Sequence, residues 1–313
     1  MTGEAATVWR RALRFGAACV TALIAVYLLA VWTAPGQRFE DGVLRAADRV
    51  AGSSEEVRAL DTLASVSVPA VLLATVAVVG IGFARRRPFL GLVAAGAMAA
   101  AIVTTEVIQR IGHRPILLDS GYRREDQSFP SGHTTVAMAV MCGLVLVIPY
   151  RFRGLAVLAA FLYAASVGVA TVTASWHRPS DTVGAGLIVV AYACVAVAVL
   201  ARSGRVRAGS PGTLAQRVAR SVLAGAVVGT AMLALVLAAV AALRALSAAD
   251  DGIAYAAVLR SGRLLALSGS AAVAACLLAL LRRTDLGARP DRAGERSRDV
   301  PSGHAGVDRP AGP

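Results

Sequence analysis

Apolar residues in this chain come in long blocks, and polar residues are confined to the gaps between them. Blocks of roughly twenty apolar residues, the length an α-helix needs to cross a bilayer, fall at about 13–33, 64–84, 89–109, 131–150, 154–174, 182–201, 219–243 and 262–281. The pattern predicts an all-α fold, a polytopic membrane helix bundle of about eight spans. Arg10, Arg11 and Arg14 precede the first block as they would in a signal peptide. That block ends in Trp32-Thr33-Ala34-Pro35 without a small-x-small cleavage site, so it reads as a retained first span. Between the first two blocks, residues 37–61 place Phe39, Val43, Leu44, Ala47 and Val50 at helical spacing among charges. This spacing predicts an amphipathic helix at the membrane interface or a solvated loop helix, with the interfacial form preferred.

Composition supports the membrane reading. The 313 residues are 57% hydrophobic and 16% charged, too apolar for an ordinary soluble domain, in which about a quarter of residues are charged. A net charge of +13 raises the question of nucleic acid. Every basic side chain is Arg, however, and the arginines stand in short clusters between apolar blocks with few aromatics beside them, which is the pattern of membrane loops; nucleic-acid binding is set aside. Heavy use of Ala, Val and Arg points to a GC-rich bacterial genome. With the N-terminus inside, Arg10 to Arg14, Arg85 to Arg87, Arg151 and Arg153, Arg202 to Arg220 and the segment from Arg282 all fall on one side. The positive-inside rule then predicts a multi-pass protein of the cell membrane with both termini cytoplasmic. Cys19, Cys142, Cys194 and Cys276 each lie inside an apolar block without metal-like spacing and read as small buried hydrophobes. The tail after Arg283 is rich in Pro, Gly, Arg and Asp and is expected to be disordered.

Two polar islands carry the candidate chemistry, both on the outward side. Gly112 to Thr135 holds two of the chain's four histidines, three arginines and two prolines. The second island is Trp176-His177-Arg178-Pro179-Ser180-Asp181. Two apolar blocks separate His133 from His177, so the islands share a face. Pro130 and Pro179 suit the first turn of a helix. The amides of Ser131, Gly132 and His133 would then point out of a helix end that favours an anion, with Gly132 allowing close approach. His177 and Asp181 are four residues apart, so on a helical turn Asp181 can orient one nitrogen of His177 and leave the other free to act as nucleophile or base. Arg114 offers a planar fork to two phosphate oxygens.

At these residues the chain resembles the type 2 phosphatidic acid phosphatase superfamily, related to vanadium haloperoxidases. The family's motifs are Lys-x6-Arg-Pro, Pro-Ser-Gly-His and Ser-Arg-x5-His-x3-Asp. Arg114-Pro115, Pro130-Ser131-Gly132-His133 and His177-x3-Asp181 stand in matching order and spacing, over roughly residues 64–201. The resemblance implies a six-span phosphatase-like core over 1–204; the two further transmembrane helices over 205–283 and the disordered cytoplasmic tail over 284–313, expected from the apolar blocks and composition, lie outside it. It implies His177 as the attacking nucleophile, Asp181 as its orienting group and His133 as the acid for the leaving group. Arg114, Ser131 and Gly132 would hold the phosphoryl oxygens, without metal or cofactor. The implied substrate is a lipid phosphomonoester or pyrophosphate, such as phosphatidic acid, phosphatidylglycerol phosphate or a polyprenyl pyrophosphate, cleaved at the outer leaflet among membrane lipids. Nothing in the sequence sets an oligomeric state.

Two family cations are missing. Val107 stands at the lysine position and Ala170-Thr171 at the Ser-Arg pair. Arg178 is the first candidate to replace them, Arg123 or Arg124 the second, and Arg110 a further one that Glu106 would consume as an ion-pair partner. The losses leave open a catalytically weak lipid-phosphate binder, and the fold also allows a phosphotransferase that passes the phosphohistidine to a hydroxyl. Pro301-Ser302-Gly303-His304 repeats the second motif in the tail but precedes no apolar block, so it is given no role. His113 reads as a supporting or solvated histidine, and Trp32 and Trp176 as interfacial anchors.

Overall fold

The computed structural model describes residues 3–118, 127–209, 213–247 and 251–287. Among them, the helices are α1 (Gly3–Val31), α2 (Ala34–Asp48), α3 (Ser54–Ala64), α4 (Val68–Ala84), α5 (Pro88–Ile111), α6 (Gly132–Val147), α7 (Arg153–Thr173), α8 (Pro179–Arg202), α9 (Leu214–Ser247) and α10 (Asp251–Leu280). Two short strands, β1 (Val206–Ala208) and β2 (Thr284–Leu286), pair antiparallel. The fold is an all-α polytopic bundle. Six helices, α1, α5, α7, α8, α9 and α10, are each long and apolar enough to cross a membrane. α4 meets that test only together with α3, across a 47° bend, and α6 is shorter, at 16 residues.

α8 is the hub. In its most apolar window 67% of the residues are buried, against 11% in α1 and 22% in α9. A helix hydrophobic on every side is stable only when neighbours surround it, and α1, α5, α6 and α10 all pack on α8. Small residues let them come close. A Cβ on Gly186 would lie 2.6 Å from Val273 of α10, and one on Gly184 would lie 2.5 Å from the ring of Phe129. The outward apolar faces of α1, α4 and α9 keep large side chains such as Leu29, Leu73 and Leu233 exposed, as lipid-facing helices do.

The segment between the first two spans departs from expectation. It forms two helices rather than one, and neither lies apart from the bundle. Val43, Ala46 and Ala47 of α2 are buried with Val172 of α7 and Leu259 and Ala266 of α10. Ala59 and Leu63 of α3 are buried with Ala137, Val167, Ala170 and Ala174. The apolar stripe that suggested a membrane interface is matched by protein surface. α10 supplies much of it, and also packs on α7, α8 and α9.

The boundary expected at residue 284 moves as well. Thr284–Leu286 is strand rather than tail, and Leu286 is fully buried. Asp285 takes a two-pronged contact from Arg87, at 2.8 and 2.9 Å. Arg153 donates to the Thr284 carbonyl at 2.5 Å and Arg11 to the Thr284 hydroxyl at 2.6 Å. These contacts lie at the α5 N-terminus and the α8 C-terminus, the end of the bundle opposite the polar islands. The rest of the expected tail, with Pro301-Ser302-Gly303-His304, lies outside the described residues. The cysteines Cys19, Cys142 and Cys194 are buried and Cys276 is partly buried, all of them free.

Because Phe129 occupies the space beside Gly184, Gly184→Ala is expected to displace the segment that leads into α6. Overpacking of this kind costs about 1–3 kcal/mol, so the variant's thermal unfolding midpoint in detergent should fall. An unchanged midpoint would show that the ring has room to move.

Candidate active site

The two polar islands are joined at the N-termini of α6 and α8. Ser131 caps α6, its hydroxyl accepting from the Thr134 N–H at 3.3 Å and donating to the Thr134 hydroxyl at 3.0 Å. Pro130 therefore stands just before the cap instead of within the first turn. The Ser131 N–H donates to the Asp181 carbonyl at 3.0 Å. This leaves the amides of Gly132 and His133 at the mouth of α6, where the first amides of a helix have no partner within it. Gln109 of α5 donates to the Pro130 carbonyl at 2.6 Å and anchors the approach to that mouth.

α7 ends just before the second island. Ser175 takes a left-handed conformation, φ 56°, and the Thr171 carbonyl accepts from both the Trp176 and His177 N–H groups, at 3.0 and 3.2 Å. His177 is thus fixed by its own backbone before its ring meets anything. Nδ1 of His177 lies 3.3 Å from Oδ2 of Asp181. The same Oδ2 accepts from the Arg178 N–H at 2.9 Å and from the Ser128 hydroxyl at 2.7 Å. Asp181 is fully buried, so these donors are what hold it ionised against desolvation. With Nδ1 directed at Asp181, Nε2 is the nitrogen left for other work. The His133 ring packs on Trp176, centroids 5.2 Å apart, and feels the charge of His177.

Arg114 brings the cation, and α2 brings partners that spacing alone did not reveal. Nη1 of Arg114 lies 3.6 Å from Glu40 and Nη2 lies 3.8 Å from Asp41. Gln37, one turn before them, donates to the Val31 and Pro115 carbonyls, both at 2.7 Å, and accepts from the Leu117 N–H at 3.3 Å. The loop that carries Arg114 is therefore pinned to α2. Glu40 also accepts from the Ser180 N–H at 3.1 Å. Burial, followed by the charge of Asp181, pushes the Glu40 carboxyl up to about 7. A sequence signal for Glu40 existed: it shares a helical stripe with Val43, Leu44 and Ala47, an acid in line with a buried face.

The expected replacement cations are placed as follows. Arg178 is almost fully buried, its Nη1 donating to Ser128 at 2.8 Å and its Nη2 lying 3.5 Å from Asp41. It ties α2 and the Ser128 segment to α8. Arg110 does not join the cluster: its side chain is 80% exposed and pairs with Glu106 at 3.8 Å. Arg123 and Arg124 lie outside the described residues. The two degenerate positions supply no cation. Val107 is exposed on α5, and the Thr171 hydroxyl turns back to the Gly168 carbonyl at 2.8 Å. The Tyr27 hydroxyl donates to the His113 carbonyl at 2.7 Å, and the His113 ring lies 6.1 Å from Trp32, so this histidine supports the segment before Arg114 from the side. Trp32 and Trp176 are both partly exposed. Among the described residues, no group of three or more His, Cys, Asp or Glu side chains is arranged to hold a metal.

Residues 59–205 match the PAP2 superfamily. No curated protein and no solved structure matches the chain. The matched segment contains Arg114, the α6 mouth, His177 and Asp181, and it excludes α2 and α10. Members of this superfamily are phosphatases, which sets the activity class as phosphoester hydrolysis. Over residues 59–205, a little under half of its length, the chain is similar to the PAP2 superfamily.

Proposed function

We propose that this protein is an integral-membrane lipid phosphate phosphatase that works through a phosphohistidine. The substrate class is a lipid phosphomonoester or pyrophosphate, among which phosphatidic acid, phosphatidylglycerol phosphate and polyprenyl pyrophosphates are the candidates. The observation that carries the reading is the buried Asp181 oxygen, held by the Arg178 amide and Ser128 and directed at Nδ1 of His177. That arrangement leaves Nε2 of His177 to attack phosphorus. The P–O bond to the lipid breaks as the P–N bond forms, and protonated His133 gives its proton to the leaving oxygen. Water then attacks the phosphohistidine, neutral His133 takes its proton, and phosphate leaves with His177 restored. Arg114 and the amides at the α6 mouth would stabilise charge on the phosphoryl oxygens. The distribution of arginines favours an outward-facing site, since the cluster around Asp285 lies at the opposite end of the bundle.

A second reading has its own support. Arg114 already faces two carboxylates, and the positions of the missing Lys and Arg carry an exposed Val107 and a Thr171 whose hydroxyl bonds to its own helix. These features favour a weakly active relative that binds lipid phosphates without efficient turnover.

Inorganic phosphate release from the purified protein, measured over that lipid panel, separates the two readings. Loss of one catalytic group from such a unit lowers turnover by about 10³-fold or more, so His177→Ala should abolish release that the wild type shows. Equal rates for the two proteins would refute the phosphohistidine. Arg178 separates differently. Removing one partner of a buried ion pair costs about 3–5 kcal/mol, so Arg178→Ala should lower the thermal unfolding midpoint in detergent. A variant with unchanged midpoint and raised KM would instead identify Arg178 as a phosphate contact.

A further inference from the structure

α2 lies outside the segment that matches the superfamily, yet it delivers two carboxylates into that segment's site. The local charge is unbalanced. Arg114 and Arg178, with side chains 6% and 2% exposed, face Glu40, Asp41 and Asp181, at 3%, 13% and 0%. Two guanidinium groups against three ionised carboxylates leave a buried excess of one negative charge. Such an excess is costly in itself and opposes a phosphoryl dianion.

The hydrogen-bond pattern shows where the strain in this arrangement falls. Oε1 of Glu40 is satisfied by the Ser180 amide. Oε2 has no hydrogen-bond donor, and neither terminal nitrogen of Arg114 has a hydrogen-bond acceptor. At 3.6 Å they face one another beyond hydrogen-bond reach. Each is a buried polar group without its bond, and such groups are rare unless something else completes them. A phosphoryl oxygen would complete Arg114, and a proton would complete Glu40.

We propose that Glu40 determines which charge state of ligand this site accepts: its carboxylate competes with an incoming phosphoryl oxygen for Arg114, and binding proceeds with uptake of one proton by Glu40 from solvent. The proposal rests on the phosphoryl-site reading above. The groups that face Glu40 are Arg114 from the loop after α5, the Ser180 amide, Arg178 and Asp181 from α8, and Asp41 beside it on α2. α10, packed along the other side of α2, directs Arg263 to Glu55 at 2.7 Å. The hydroxyls of Thr171 and Thr173 on α7 bond to their own helix, and α1 offers α2 the Val31 carbonyl, which Gln37 takes. With its ionisation near pH 7, Glu40 is neutral below that pH and an anion above it. Ligand anions should therefore bind more weakly as pH rises.

Calorimetry with sulfate, whose charge is constant over the range, and with inorganic phosphate tests this on the full-length protein in detergent. Wild type and Glu40→Gln are compared at pH 5.5 and 8.5, in buffers of different ionisation heat so that proton uptake is read directly. Gln keeps an oxygen for the Ser180 amide and removes the charge. The two proteins should bind sulfate equally at pH 5.5, and Glu40→Gln should bind about thirtyfold more tightly at pH 8.5, which lies 1.5 pH units above the ionisation near 7. Wild type should take up about one more proton than Glu40→Gln at the higher pH. Glu40→Ala serves in the same comparison if Glu40→Gln does not fold. Equal affinities and equal proton uptake in wild type and variant would overturn the competition, even for a protein that releases phosphate from lipids. Failure of wild type to bind either anion at pH 5.5, with no phosphate release from any lipid, would overturn the phosphoryl-site reading as well.

Discussion

A guanidinium taken out of water must bring its counter-charge with it, because an unpaired buried charge costs several kcal/mol. Arg114 and Arg178 are both buried, and the three carboxylates that accompany them come from two helices far apart in the chain: Glu40 and Asp41 on α2 and Asp181 on α8. This cluster binds the helix ends together. Through Asp41, one oxygen lies 3.8 Å from Arg114 and 3.5 Å from Arg178. Through Asp181, the α8 N-terminus holds Ser128 and, by its carbonyl, the cap of α6. The position of each candidate catalytic group depends on charges that cannot be left alone.

That dependence explains the parts of the chain outside the superfamily segment. α2 can reach the site only if its apolar face is buried, and α7 and α10 bury it. Gly262 of α10 sits against Val43, where an added Cβ would come within 2.5 Å, so the helices meet at close range. α10 is in turn fixed at its far end, where the chain runs on into β2 and Asp285 collects Arg87 and Arg85. A helix that looks like an addition to a six-span core thereby supports the carboxylates in the site.

The charge balance also ties chemistry to pH. The superfamily motif has three phosphate-binding cations, and this chain retains one at those positions, Arg114. Arg178, the first arginine expected to compensate, is in the cluster, but it is held by Asp41 and Ser128, and α2 adds carboxylates beside it. A site so built holds its arginine in place without substrate and presents a protonatable group to any anion that enters.

Local order determined much of this protein. Apolar blocks of span length, a helix start at the Pro130–His133 motif, and His177 four residues before Asp181 are properties of neighbours in sequence, and each is legible without a fold because helix geometry relates residues a turn apart. Even Glu40 left a trace, as an acid in line with a buried stripe. Its partners left none. Glu40 meets Ser180 across 140 residues, and Arg178 meets Asp41 across 137. Glu106, one turn before Arg110, marks that arginine as paired already in sequence, but no neighbour marks Arg178 as buried. Only packing decides which side of a helix faces the bundle and which charges must neutralise one another there. Sequence therefore named the candidate groups, and tertiary structure decided which of the described ones meet in one place and which are held by other charges.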